Sequence, residues 1–299
     1  MLKYYLEKQG GYQLENFDSN SRDFYKFCDY LFIDNIIDTL YYIDRKLTAD
    51  FTHSYYITPL RYNNERYMRN SDLSVANIES SGKNVLDYIL SLDKTEKLSF
   101  ANFLQETLKC SIEIVGEETK SINITNEFGE TDNIVDVGHG FSQILPIATM
   151  LWDRAYKGRS RNNPDYIIIE QPEVHLHPNM QGNIAVLLAK TIDLANSRKR
   201  NLRFIIETHS AVLVNRLGQY IYNNKSKEYL PYFSELKSED GSYIGYRFAN
   251  LFQDDSLSID KEDISVYLFE KGKDGITRIS STEYDDNGRV KKWPLGFLE

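Results

Sequence analysis

Two carboxylates, an amide and two histidines fall within the eight positions 170–177, EQPEVHLH, directly after the apolar run YIII at 166–169. Carboxylate oxygens are hard ligands that suit magnesium, whereas imidazole combined with carboxylate suits zinc or manganese. A carboxylate or an amide can also orient an attacking water, but only the carboxylate can take its proton. A second cluster, Glu207-Thr208-His209-Ser210, follows the apolar run FII at 204–206. In a third stretch, VDVGHGFSQ at 135–143, Gly138 and Gly140 flank His139, and Ser142 and Gln143 lead into an apolar helix at about 144–156. Glycine lets the backbone approach a ligand closely. A helix N-terminus offers free N–H groups and the positive end of its dipole to an anion. Taken alone, the same stretch also reads as an ordinary loop with a serine cap.

The elements that position these groups follow from length and periodicity. Pro164 and Pro172 bound the first apolar run, leaving room for a strand buried on both faces but not for a helix. A helix at about 179–195, with Ile184, Leu187, Leu188, Thr191 and Ala195 on its core face, leads to a second strand at 203–206. Strand, helix and strand make a βαβ unit, so the two strands are parallel and joined right-handedly. Their carboxyl ends then share one edge, where open α/β sheets bind ligands. Glu170, Gln171, Glu173, Glu207 and His209 would face one crevice. The basic runs 157–161 and 198–203 fall on the opposite edge and read as solvated charge.

Upstream, residues 1–52 read as helical. Phe24, Phe27, Leu31, Phe32, Ile36, Ile37, Leu40 and Ile43 recur at three- and four-residue steps, and Ser21 or Asp23 is available as a cap. A strand at 53–60 stops at Pro59, with Arg61 and Arg66 beyond it as solvated charges or phosphate ligands. Short helices at 84–92 and 96–108 precede a hairpin of 110–115 and 120–126 around Gly116-Glu117-Glu118. Past residue 220 the pattern becomes β-rich, with strands at 243–251, 265–271 and 275–282. Turns are expected at Asp240-Gly241, Asp274-Gly275 and Asn287-Gly288, and a terminal stretch with Trp293 and Phe297 docks back on the body.

With 41% hydrophobic and 26% charged residues the 299-residue chain is a soluble globular protein, not a disordered one. A net charge of −9 gives no overall attraction to nucleic acid, so any such surface must be a local patch or belong to a partner. Cys28 and Cys110 form neither a disulfide framework nor a zinc spacing, which points to a reducing cytoplasm. No apolar run reaches the roughly 18–20 residues of a membrane span, and the start lacks a signal core.

In their order, these stretches resemble the ATP-binding-cassette (ABC) type ATPase heads of the RecF, OLD and structural-maintenance-of-chromosomes families. VGHGFSQILPI is similar to the signature motif of that group, IIIEQPEVHLHP to its Walker B strand and D-loop, and IIETHS to its histidine switch. Within it, the likeness is greatest to bacterial and archaeal AAA-family ATPases with a C-terminal domain of unknown function. It extends over roughly 53–299, through ITPLRYNNERY before the signature and SVYLFEKGKDGITRISSTEYDDNGRVKKWPLGF near the end.

The resemblance implies an α/β fold: the C-terminal part of an ABC-type P-loop ATPase head, a parallel sheet flanked by helices, with a small β-rich C-terminal segment. Beside the helical segment read at 1–52 (a lid or the remnant of an insertion), it implies a head at 53–218 carrying signature, Walker B and histidine switch, and a β-rich domain at 219–299. ATP and Mg²⁺ are the implied ligands. Glu170 would hold Mg²⁺, and Gln171 stands where many relatives carry the catalytic glutamate, with Glu173 as its substitute. His209 would contact the γ-phosphate. Gly138, Gly140, Phe141, Ser142 and Gln143 would close over ATP bound to a second copy, and His175 and His177 would lie in the loop crossing that interface. The implied partners are a second copy or a P-loop-bearing chain, and a nuclease or other effector in DNA maintenance or anti-phage defence, with nucleic acid as a further ligand and no membrane.

The P-loop pattern GxxxxGK[ST] occurs nowhere in the sequence, and Gly10-Gly11 is followed by Tyr12-Gln13-Leu14. The plainest expectation is the C-terminal part of a longer ATPase, with a separate P-loop chain or a degenerate pseudo-ATPase interaction module as alternatives. A further alternative takes Glu170, Glu173, His175 and His177 as a transition-metal hydrolase or nuclease site.

Overall fold

The computed structural model describes residues 22–62, 65–69, 75–159, 164–225, 259–272 and 274–291. Residues 1–21 of the expected helical segment, with the candidate cap Ser21, the strand at 243–251, the turn at Asp240-Gly241 and the docking of Trp293 and Phe297 lie outside these residues. The chain divides into two compact units, residues 1–53 and 54–299.

In the first unit, α1 (Arg22–Thr52) is a single continuous helix. Ile33, Ile36, Leu40, Ile43 and Leu47 fall on one stripe at three- and four-residue steps, and all of them are exposed. The spacing is that of a packing helix, as expected, but the stripe is not part of the core.

The second unit runs β1 (Ser54–Ile57), β2 (Met68–Arg69), α2 (Val85–Ser91), α3 (Lys94–Leu108), β3 (Ser111–Val115), β4 (Thr119–Thr125), β5 (Thr131–Asn133), α4 (His139–Lys157), β6 (Asp165–Glu170), α5 (Pro178–Ser197), β7 (Leu202–Glu207), α6 (Ala211–Lys225), a 3-10 turn (Lys261–Asp263), β8 (Val266–Lys271) and β9 (Thr277–Thr282). The fold is α/β, with a three-stranded sheet in the order β1-β6-β7. All its strands are parallel, with Ile57 beside Ile169 and Glu170 beside Glu207. The βαβ reading of β6, α5 and β7 is therefore correct.

β6 differs from the expected strand in one respect. Asp165, Ile167 and Ile169 are buried, while Tyr166, Ile168 and Glu170 are only partly so. Ile57, Ile167 and Ile169 join one core with Ile144, Ile147 and Leu151 of α4 and Ile184, Leu187 and Leu188 of α5. The other face shows Tyr56 at 38% and Ile205 at 55% exposure. The helices thus cover one face of the sheet, and the alternation of burial along β6 records it.

The antiparallel strands β2, β4, β3 and β5 form a separate layer, with Ile112 opposite Ile124. The β3–β4 hairpin turns at Gly116, as expected. Its φ is +102°, and an added Cβ would stand 2.0 Å from the Thr119 carbonyl, so only glycine fits. β8 and β9 pair antiparallel, and Tyr284 beyond them is buried and donates from its hydroxyl to the Val214 carbonyl at 2.9 Å. That contact ties the C-terminal segment to α6.

α3 begins two residues earlier than the periodicity suggested because Asp93 caps it. The Asp93 carboxylate accepts from the Thr95 and Glu96 amides at 2.7 and 2.8 Å, and Glu96 reciprocates to the Asp93 amide at 2.9 Å. These amides, the Glu96 N–H foremost, hold the Asp93 carboxyl below its ordinary value. A depressed carboxyl adds stability above its unfolded pKa and loses it as pH falls through the folded one. Asp93→Ala should therefore lower the thermal midpoint at pH 7, with the deficit narrowing in acid. Thermal scans across pH check this.

The basic runs are not simply solvated. Lys157 bonds Glu96 at 2.9 Å and the Tyr88 hydroxyl at 3.2 Å, and the Arg198 guanidinium lies 3.4 Å from the centre of the Tyr156 ring. Cys28 is exposed and Cys110 is buried, where burial pushes its thiol up to about 12. Alkylation of the folded protein near pH 8 should modify Cys28 and spare Cys110, and denaturation should expose both; mass spectrometry reads the difference. Among the described residues no helix is long and apolar enough to cross a membrane.

Candidate functional site

The carboxyl edge of the parallel sheet gathers the polar residues. Glu170 ends β6 beside Glu207 at the end of β7, and the Gln171 amide donates to the Glu207 carbonyl at 2.8 Å. The chain then reverses sharply. Gln171 adopts φ +41° and His175 φ +63°, a left-handed backbone that non-glycine residues rarely adopt. Val174 N–H to the Gln171 carbonyl (3.1 Å) and Leu176 N–H to the Glu173 carbonyl (3.0 Å) close the turn. His177 caps α5, its Nδ1 accepting from the Asn179 amide at 3.4 Å, with Pro178 in the first helical position.

Arg61, just past β1, is neither solvated nor free for phosphate. It is 6% exposed, and its guanidinium reaches across the fold to donate to the Gln171 carbonyl at 3.0 Å and the Pro172 carbonyl at 3.3 Å. Burial lowers its pKa to about 10, opposed by the charge of Glu173. Tyr56, on β1, shares a sheet face with Glu170, whose carboxylate raises the phenol above its ordinary value. Arg66 is exposed and pairs with Asp136 at 2.5 Å.

Glu173 is fully engaged. Its carboxylate accepts from the Thr208 hydroxyl at 2.8 Å and from the His209 amide at 2.6 Å. The Thr208 hydroxyl oxygen accepts in turn from the Ser210 amide at 3.0 Å. The Ser210 hydroxyl donates to Gln181 Oε1 at 2.7 Å and accepts from the Leu213 amide at 3.1 Å, and Gln181 Nε2 donates to the Leu176 carbonyl at 3.1 Å. A chain of hydrogen bonds therefore links the turn after β6, the turn after β7 and the first turns of α5 and α6.

The structure thus brings Glu170, Gln171, Glu173 and His209 to one sheet edge. Gly138, with φ +101°, stands at the start of α4, and among the described residues no atom lies within 4 Å of where a Cβ would be. A Cβ on Gly140 would lie 3.7 Å from Leu176 and 3.9 Å from Met180, so α4 begins against the far end of the same loop. Phe141 is half-buried, whereas Ser142 and Gln143 are 4% and 2% exposed and turn inward.

Among the described residues no group of three or more His, Cys, Asp or Glu side chains is placed to hold a metal ion. Glu170, Glu173, His175 and His177 therefore do not converge as a hydrolase metal site requires. One accessible carboxylate does fit magnesium, which typically takes one or two protein oxygens and completes its shell with phosphate and water. Sequence spacing places Thr208 and Ser210 in the His209 cluster and offers Arg61 only as a solvated charge or phosphate ligand, whereas Tyr56 and Gln181 carry no local signal.

A family model for the AAA ATPase domain matches residues 15–214. No curated protein matches the chain. Similar solved structures include one from work on ATP-driven dimerization and DNA stimulated activation of SMC ATPases, at 12% identity and a TM-score of 0.36, covering 62% of this chain and 82% of that one. The SMC head domain from Thermotoga maritima aligns at 15% identity and a TM-score of 0.31, with 44% of each chain covered. The Smc head domain with a coiled coil and joint from Pyrococcus yayanosii aligns at 16% identity and a TM-score of 0.30, covering 45% of this chain and 25% of that one. The chain spans less than half the length of these last two.

Proposed function

Since the chain belongs to the AAA ATPase domain family, we propose that the edge formed by Glu170, Gln171, Glu173 and His209 is the metal-and-water end of an ATP site. The P-loop would come from sequence outside these 299 residues or from another chain. The reaction is hydrolysis of ATP to ADP and phosphate. The observation that carries this reading is the parallel register of β6 and β7, which sets Glu170 beside Glu207 and lets the Glu173 carboxylate meet the His209 amide at 2.6 Å.

In this reading Glu170 supplies the carboxylate that holds Mg²⁺, directly or through water, with the Tyr56 phenol beside it. Bound magnesium would offset phosphate charge as the γ-phosphoryl group leaves. Gln171 orients the attacking water but has no basic oxygen to take its proton, so turnover is slow for a site of this type. His209 faces the γ-phosphate. The start of α4, with Gly138 and Gly140, directs its free N–H groups at nucleotide held by a second copy. Residues 53–218 are the nucleotide-dependent part, 1–52 a helical accessory and 219–299 a β-rich domain. The dimeric switch and a nuclease or other effector in DNA maintenance or anti-phage defence are supported by the family resemblance alone.

The test is ATP binding by this chain beside the same chain completed with a P-loop segment. The completed protein should bind ATP in a magnesium-dependent way and release phosphate slowly. If it does neither, the reading fails.

A further inference from the structure

We propose that Glu173 is a positioning residue, a latch that fixes the His209 turn to the Pro172-Glu173 turn so that the two ends of the sheet edge move as one unit. The inference deepens the proposed ATP site, since it assigns Glu173 to holding His209 and not to taking a proton.

The geometry leaves Glu173 little freedom. One carboxylate oxygen accepts a main-chain N–H of His209 at 2.6 Å and the other accepts the Thr208 hydroxyl at 2.8 Å. The carboxylate fixes the direction of the second bond, since it can only accept: the Thr208 hydroxyl donates to Glu173 while its oxygen accepts from the Ser210 amide at 3.0 Å. Two donors therefore converge on one side chain, and a carboxylate accepts both at once. Glutamine would turn an N–H₂ toward one of them, and aspartate is a methylene short. The turn that carries Glu173 is held from its other side as well. Arg61 is buried and donates to the carbonyls of Gln171 and Pro172, the two residues before it. Through Thr208 and Ser210 the latch continues to Gln181 and the start of α6, where Leu213 is 1% exposed. Any displacement of Glu173 is then passed to the backbone of His209.

Hydrogen exchange and histidine NMR on this chain without nucleotide test the latch, using Glu173→Gln and Thr208→Val, which keep side-chain volume. Losing a charge-assisted bond of this kind opens the amide about tenfold to a hundredfold more often. In Glu173→Gln, exchange at 208–210 should rise by that factor while the β7 amides at 203–206 keep theirs, and the His209 imidazole resonances should shift while those of His53 stay. Thr208→Val should give the same pattern with a smaller factor at His209. Unchanged exchange at 208–210 with unchanged His209 resonances overturns the latch. So does equal acceleration across 203–210, because general destabilisation would then account for it. ATP binding by the completed protein with His209 unmoved in the variants overturns the latch alone. A working latch in a completed protein that does not bind ATP overturns the ATP reading alone.

Discussion

Glu170→Gln in the P-loop-completed protein is expected to lower ATP turnover by about a hundredfold to a thousandfold, with little change in fold. Glu170 ends β6 with its side chain only partly buried. An amide of the same shape leaves the β6–β7 register in place. What it removes is the negative charge that holds a hard cation against the phosphates. The effect should therefore appear in phosphate release and in the magnesium dependence of nucleotide binding, and not in the unfolding midpoint. Equal turnover by the variant and the parent would place the metal elsewhere. Glu207, directly opposite in the sheet, would be the next candidate.

Trp152→Ala is expected to give the largest stability loss, about 3–5 kcal/mol, seen as a fall in the unfolding midpoint of about 10 °C. Trp152 is fully buried in α4, tilted against Phe100 and stacked on Tyr156 with ring centroids 5.1 Å away in each case. Its indole N–H donates to the Ser99 hydroxyl at 3.1 Å. Truncation leaves a cavity between α3 and α4 and removes the aromatic face over which Lys157 sits, 5.8 Å from the ring. Trp152→Phe keeps most of the packing and loses the hydrogen bond, for a cost of about 1–2 kcal/mol. Chemical denaturation of both variants checks the order. Because α4 also begins at Gly138, a loosened α4 should weaken any function of that helix start before the protein unfolds.

How much of this was legible in the sequence depended on how local the cause was. β6 and β7 could be read because proline, β-branched residues and a helix of suitable length constrain them within some forty positions. The carboxyl edge followed because parallel strands joined by one helix must end on the same side. Asp93 was missed as a cap although Asp93 and Glu96 stand at capping-box spacing, so α3 was read two residues short. The burial of Ser142 and Gln143 was not legible, since their position suggested a helix entrance and only the packing of α4 against the sheet turns them inward. Arg61 and Tyr56 were beyond any local rule. Arg61 acts on carbonyls 110 and 111 positions away, and no residue type advertises a carbonyl contact. The open face of the sheet was likewise hidden, because Ile168 is as apolar as the buried Ile167 and Ile169.

The most direct test of the ATP site is paramagnetic broadening by Mn²⁺, standing in for Mg²⁺, with ATP bound to the P-loop-completed protein. Broadening is predicted at Gln171, at the 207–209 amides and at the His209 imidazole, and it should vanish in Glu170→Gln. Broadening at the opposite edge, around Arg203, or none at the carboxyl edge while ATP is bound, would contradict the assignment.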